Sequence, residues 1–142
     1  MSENIEREIK ISLTKEQYNI AEKLFQWNKI IEQTNFYYIP QRDSGMTSIR
    51  VRQIGEKYFP AADLAGSLHT QRKLCTDFDH VEICLDKSEY LGLTDYELEL
   101  EYTADYPEKP LEILKNAGIT QGQAVIGKYA RFMERAKKLG KC

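Results

Sequence analysis

The chain has 142 residues, enough for one domain that buries its own core without disulfides or a structural metal. Its 42% hydrophobic and 30% charged residues include no apolar run near the roughly 20 residues that a membrane span needs. The charged N-terminus has no apolar stretch of the secretory-signal kind, so a soluble, cytoplasmic protein is expected.

A formal net charge of -2 argues against a nucleic-acid partner but leaves room for strongly polarised local sites. Cys75, Cys84 and Cys142 show no CxxC or Cys/His spacing and read as reduced thiols. With only His69 and His80 present, histidine-based metal or triad chemistry is disfavoured.

Asn4 to Leu13 alternates strictly: Ile5, Ile9, Ile11 and Leu13 share a face with Arg7, and Glu6, Glu8, Lys10 and Ser12 lie opposite, which predicts a strand with one charged face. Thr14 and Gln17 form a capping-box pattern, and Tyr18, Ala21, Leu24 and Phe25 recur at helical spacing, so a helix is expected from about Lys15 to Trp27. Phe36 to Ile39 and Thr47 to Gln53, separated by the turn residues Asp43-Ser44-Gly45, read as a hairpin with Arg50 and Arg52 on one face. Strands are expected at Leu68 to Cys75, His80 to Asp86 and Thr94 to Tyr102, the last with Glu97, Glu99 and Glu101 opposite Leu98 and Leu100. Two helices follow. One spans about Lys109 to Ala117 and stops at Gly118; the other begins after Thr120 and carries Val125, Tyr129, Phe132 and Met133 on its apolar side.

Three strands therefore have uniformly charged faces. A solvated outer face is the ordinary reading of any one of them. Their opposite faces, however, are apolar and aromatic, and the chain supplies amphipathic helices early and late that could cover those faces from outside. The fold class expected is α+β, an antiparallel β-barrel of about eight strands closed around a charged tunnel, with helices packed outside. Tyr37, Tyr38, Tyr96 and Tyr102 are then packing residues under those helices, and His69 points outward. Carboxylates clustered without histidine or thiolate favour hard ions such as Mg²⁺ or Mn²⁺. Clustered Arg and Lys favour phosphate oxygens. Both in one lumen imply a metal-bridged polyphosphate.

Glu6-Arg7-Glu8-Ile9-Lys10 resembles the N-terminal ExExK signature of the CYTH superfamily, the triphosphate tunnel metalloenzymes. In order after it, Arg50-Val51-Arg52 resembles the family's RxR strand, Thr70-Gln71-Arg72 its TxR strand, and Leu85-Asp86 its Leu-Asp turn. Tyr96 to Glu101 is similar to its glutamate strand, and Lys128-Tyr129-Ala130-Arg131 to its C-terminal lysine motif. The resemblance covers nearly the whole chain, residues 1–142, read as a single domain. It implies that Glu6, Glu8, Asp86, Glu97 and Glu99 hold one or two divalent metals, Mg²⁺ or Mn²⁺, with Glu101 on the same face. It also implies that Lys10, Arg50, Arg52, Arg72, Lys128 and Arg131 clamp the phosphates, with Lys10 and Lys128 as the catalytic cations.

The activity implied is metal-dependent hydrolysis of inorganic triphosphate or a triphosphate-bearing organic compound by a monomer or homodimer, with no nucleic-acid or membrane partner. A class IV-type adenylyl cyclase and a non-catalytic polyphosphate- or nucleotide-binding module are the alternatives. The sequence departs from the family at Tyr58-Phe59, which runs directly into Pro60-Ala61-Ala62-Asp63-Leu64. The family's strand ending in a tunnel lysine, and the helical excursion after it, would fall between Phe59 and Pro60. A missing segment or a discontinuity is expected there, with Lys57 a partial substitute for the lysine.

Overall fold

The computed structural model describes residues 6–40, 49–52, 62–122 and 125–140. The expected Asp43-Ser44-Gly45 turn, Lys57 and the Phe59–Pro60 junction lie outside the described residues. In chain order the elements are β1 (Arg7–Leu13), α1 (Lys15–Leu24), β2 (Lys29–Pro40), β3 (Ile49–Arg52), β4 (Ala62–Phe78), β5 (Val81–Tyr90), β6 (Leu93–Tyr102), α2 (Glu108–Asn116) and α3 (Lys128–Lys138). The six strands form one sheet in the order β1-β6-β5-β4-β2-β3. Both β1 on β6 and β2 on β3 are antiparallel.

Among the described residues no ladder pairs β1 with β3, so these strands make an open antiparallel sheet where the sequence led to a closed barrel of about eight strands. Further strands would have to come from 41–48 and 53–61, outside the described residues.

Alternation explains the strands, and a polar cap sets where the first helix starts. The Thr14 hydroxyl accepts from the Gln17 backbone N–H at 3.1 Å while the Gln17 side chain accepts from the Thr14 N–H at 2.9 Å. This is the reciprocal capping box that fixes where α1 begins. Leu85-Asp86 is not a turn. Both residues lie within β5 and are fully buried, because the pleat carries Leu85 into the apolar core and Asp86 to the other face. The turn after β5 is Leu91-Gly92, both at positive φ (46° and 80°), as a two-residue hairpin whose twist matches its strands requires.

The described residues gather into two compact units. The first comprises Met1–Ile31, Gln71–Lys87 and Asp95–Val125. Its core joins Ile9, Ile11 and Leu13 of β1, Cys75, Ile83, Leu85, Leu98 and Leu100 to Tyr18 and Ala21 of α1 and Leu114 of α2. Each leucine buried there contributes roughly 1.5–3 kcal/mol relative to an exposed one. The second unit comprises Glu32–Thr70, Ser88–Thr94 and Ile126–Cys142. Tyr37, Ala65, Leu68 and Tyr90 pack there against Phe132 and Ala136 of α3. Tyr37 and Tyr96 are packing residues as expected, with rings 4.4 Å from Phe132 and 4.8 Å from Tyr18 respectively. His69 faces Thr34, whose hydroxyl lies 3.0 Å from Nδ1.

Candidate carboxylate and arginine site

The apolar core of the first unit takes one face of β1, β4, β5 and β6, so period-2 alternation sends Glu8, Lys10, Arg72, Cys84, Asp86, Glu97, Glu99 and Glu101 to the other. The β1–β6 register sets Glu8 opposite Glu101, Lys10 opposite Glu99 and Ser12 opposite Glu97. Two carboxylates directly opposite in a ladder repel each other. They persist where a cation or a shared proton sits between them.

Two groups result. Glu8, Glu99 and Glu101 bring carboxylate oxygens within 4.8 Å of one another, and so do Asp86, Glu97 and Glu99. Glu99 belongs to both. Burial differs sharply along this face: Asp86 is 0%, Glu97 3% and Glu99 6% exposed, whereas Glu8 is exposed. Buried carboxylates of this kind need a partner.

Arg72 is that partner for Asp86. Its Nε donates to Oδ1 and its Nη2 to Oδ2, both at 2.8 Å, and Nη2 also donates to Glu99 Oε2 at 3.2 Å. Its hydrogen bonds to Asp86 raise Arg72 above its already high ordinary value. Glu99 is pushed up to about 8, first by burial and then by hydrogen bonds with Glu8 and Glu101. The hydrogen bond with Glu99 holds Glu8 below the ordinary carboxylate value, with Lys10 adding to the effect. Burial likewise raises Glu101. Lys10 Nζ stands 3.6 Å from Glu8 Oε1. Cys84, on the same face, is pushed up to about 12 by burial and is an inert thiol.

Of the residues named from the sequence, the structure gathers Glu8, Lys10, Arg72, Asp86, Glu97 and Glu99. Glu6 is exposed and outside both carboxylate groups, although its carboxylate reaches Glu101. Arg50 and Arg52 pair in register with Tyr37 and Asn35; their side chains lie outside the described residues. Lys128 and Arg131 belong to the first turn of α3 in the second unit. Arg131 Nη1 donates to the Ile126 carbonyl at 2.7 Å.

Glu101 sits inside a carboxylate group, as its place on the alternating Glu97-Glu99-Glu101 run indicated. The Arg72–Asp86 pair had no sequence signal, since it depends on the register of β4 against β5. The donor set fits a divalent ion: it is all carboxylate oxygen, and a guanidinium already stands as the cation in one group.

No family model matches the chain, and no curated protein matches it by sequence. Solved structures do. A candidate adenylate cyclase from Bacillus halodurans is similar at TM-score 0.61 and 22% identity, over 91% of this chain and 97% of that one. A protein from Pyrococcus horikoshii OT3 is similar at TM-score 0.58 and 19% identity, over 94% and 99%. A candidate adenylyl cyclase from Hippeastrum, described as having a dominant triphosphatase activity, is similar at TM-score 0.65 and 15% identity, over 92% and 96%. Among the described residues no helix is long and apolar enough to cross a membrane. The shared architecture, spanning nearly all of each chain, makes this a protein of the CYTH-type fold.

Proposed function

We propose that the protein hydrolyses a phosphoanhydride bond of inorganic triphosphate, or of a triphosphate-bearing organic compound, with Mg²⁺ or Mn²⁺ as cofactor. The observation that carries this reading is one sheet face holding Glu8, Asp86, Glu97, Glu99 and Glu101 in two groups that share Glu99, with Arg72 and Lys10 among them. Carboxylates alone would suit a cation store. Carboxylates interleaved with an arginine and a lysine suit a substrate that is itself a polyanion.

Glu8, Asp86, Glu97 and Glu99, with Glu101, would hold the metal, and Glu6 would support Glu101 from the exposed end of the face. When bound, a divalent ion supplies charge neutralisation at the phosphate oxygens and a water more acidic than bulk water. Lys10 would bind a phosphate oxygen as a point charge. Arg72 would offer its fork. Glu99, holding a proton near neutral pH, can release it as positive charge arrives. Arg50, Arg52, Lys128 and Arg131 are proposed as further phosphate contacts on the resemblance of their motifs alone, with Lys128 joining Lys10 as a catalytic cation. No side-chain nucleophile is needed, because phosphoryl transfer is accelerated mainly by positioning and charge.

A cyclase using the same groups is the second reading, supported by the descriptions of the Bacillus halodurans and Hippeastrum proteins. Incubation with tripolyphosphate, ATP and thiamine triphosphate, each with Mg²⁺ or Mn²⁺, tests both. Orthophosphate release supports hydrolysis. Cyclic AMP with pyrophosphate from ATP would replace the hydrolase reading with the cyclase, and binding without any product would leave a polyphosphate-binding module.

A further inference from the structure

Two residues along β4 from Arg72 and two along β5 from Asp86, on the same face of each strand, are Thr70 and Ser88. Their hydroxyls meet at 3.0 Å, and both residues are buried, Thr70 at 5% and Ser88 at 1% exposure. Two hydroxyls carry two protons, and their mutual bond uses one. Among the described residues neither side chain has another partner. One buried O–H is therefore left to donate, and a buried donor left unspent is costly. Arg72 also holds a nitrogen in reserve. Its Nε and Nη2 serve Asp86 and Glu99, and its Nη1 has no acceptor among the described residues.

The next position of that face is Leu68 on β4 and Tyr90 on β5. Both lie in the buried cluster with Tyr37 and Phe132, so along these two strands the face passes from charged to hydroxylic to apolar.

We propose that the Thr70–Ser88 hydroxyl pair receives the terminal phosphate of the substrate, which makes the substrate a triphosphate with at least one free end. The inference rests on the hydrolase reading and adds to it a direction of binding and a limit on substrate class. A terminal phosphate carries three oxygens, all strong acceptors, and a bond from a hydroxyl to a charged oxygen is among the stronger ones. Thr70 and Arg72 lie roughly 6–7 Å apart along the strand, so a phosphate chain that meets the hydroxyls lies close to the guanidinium, which need not leave Asp86 to bind it. An organic group at the hydroxyl end would have to enter the core formed by Leu68, Tyr90 and Phe132, and close-packed cores resist such insertion. It therefore belongs at the opposite end of the triphosphate.

Calorimetric titration with a non-hydrolysable imido analogue of triphosphate and Mn²⁺ tests this on the wild type and on the double variant Thr70→Val/Ser88→Ala. The double variant should bind the analogue at least about tenfold more weakly, the scale of one hydrogen bond to a charged group. It removes both partners and leaves no hydroxyl unpaired, so its urea midpoint should match or exceed that of the wild type. Unchanged affinity, with or without a lowered midpoint, would overturn the inference and leave the pair a structural contact. If the double variant does not fold, Thr70→Val and Ser88→Ala carry the test singly: at least one should lose about tenfold, and two unchanged affinities would again overturn it. On the wild type, a triphosphate esterified by adenosine at one end should bind at least about tenfold more tightly than one esterified by adenosine at both ends, and equal binding would overturn the free-end requirement. A wild type that hydrolyses tripolyphosphate while the variants bind the analogue unchanged defeats only the role of the hydroxyls. A wild type that neither binds the analogue nor releases phosphate defeats the hydrolase reading and this inference together.

Discussion

The guanidinium of Arg72 meets the fully buried carboxylate of Asp86 through two hydrogen bonds of 2.8 Å, one to each oxygen. Such a pair is costly to break from one side, because the remaining charge stays buried and loses its two-pronged donor. Arg72→Leu should destabilise the ion-free protein by about 3–5 kcal/mol. Adding Asp86→Leu in the same chain should recover most of that loss. Urea unfolding of the two single variants and the double variant measures the coupling, and simple addition of the two effects would mean the pair is not coupled.

Glu99 gives the site a pH dependence whose sign follows from its value. Its folded-state value is raised from 4.5 to about 8, so the folded protein favours the protonated form. That contribution is fully present below the unfolded value and is lost as pH rises through about 8. Glu8 is lowered and works in the opposite sense, losing its contribution on acidification. Between pH 6 and 9 the ion-free protein should lose stability, and Glu99→Gln should flatten the slope. Adding Mn²⁺ at pH 7 should release a proton from the wild type, and at pH 9 little from this group; potentiometric titration in unbuffered solution reads both.

Glu101 and Glu6 are expected to differ although both extend the same charged pattern. Glu101 faces Glu8 in the ladder and shares its carboxylate group, whereas Glu6 is exposed and outside it. Glu101→Gln should lower Mn²⁺ affinity by about 10- to 100-fold, and Glu6→Gln by clearly less. Calorimetric titration of both variants compares them. An equal loss would place Glu6 among the ligands themselves.

Gly66 is a backbone requirement of the second unit. It adopts φ +154°, and a Cβ there would stand 3.0 Å from both Leu91 Cδ2 and Phe132 Cζ. Gly66→Ala should cost roughly 1–3 kcal/mol from backbone strain and crowding together. A thermal midpoint equal to that of the wild type would show that β4 and α3 give way freely.

The strict alternation of Arg7 to Leu13 and of Tyr96 to Glu101 made β1 and β6 and their charged faces legible, since period-2 patterning is set by the pleat itself. Thr14 and Gln17 likewise marked the start of α1. The extent of β4 was not legible. Residues 62–67, with Gly66 and small side chains, resemble a loop by composition, and only packing against α3 makes them strand. The Leu85-Asp86 motif resembles a turn, yet Asp86 and Ser88 are buried within β5, which runs on to Tyr90. Asp86 and Arg72 were each recognisable as site residues. Their mutual engagement was not, because a pairing 14 residues apart is decided by the register of neighbouring strands and leaves no trace in either residue's local sequence.

Phosphate release from tripolyphosphate in the presence of Mn²⁺, compared between the wild type and Glu99→Gln, tests the central claim most directly, since Glu99 is common to both carboxylate groups. The wild type should release orthophosphate, lose that activity to a chelator, and lose at least about 100-fold of it on Glu99→Gln, the scale of removing one preorganised charged contact from a transition state. Absence of release by the wild type, or undiminished release by Glu99→Gln, would contradict the assignment of this face as a metal-dependent triphosphatase site.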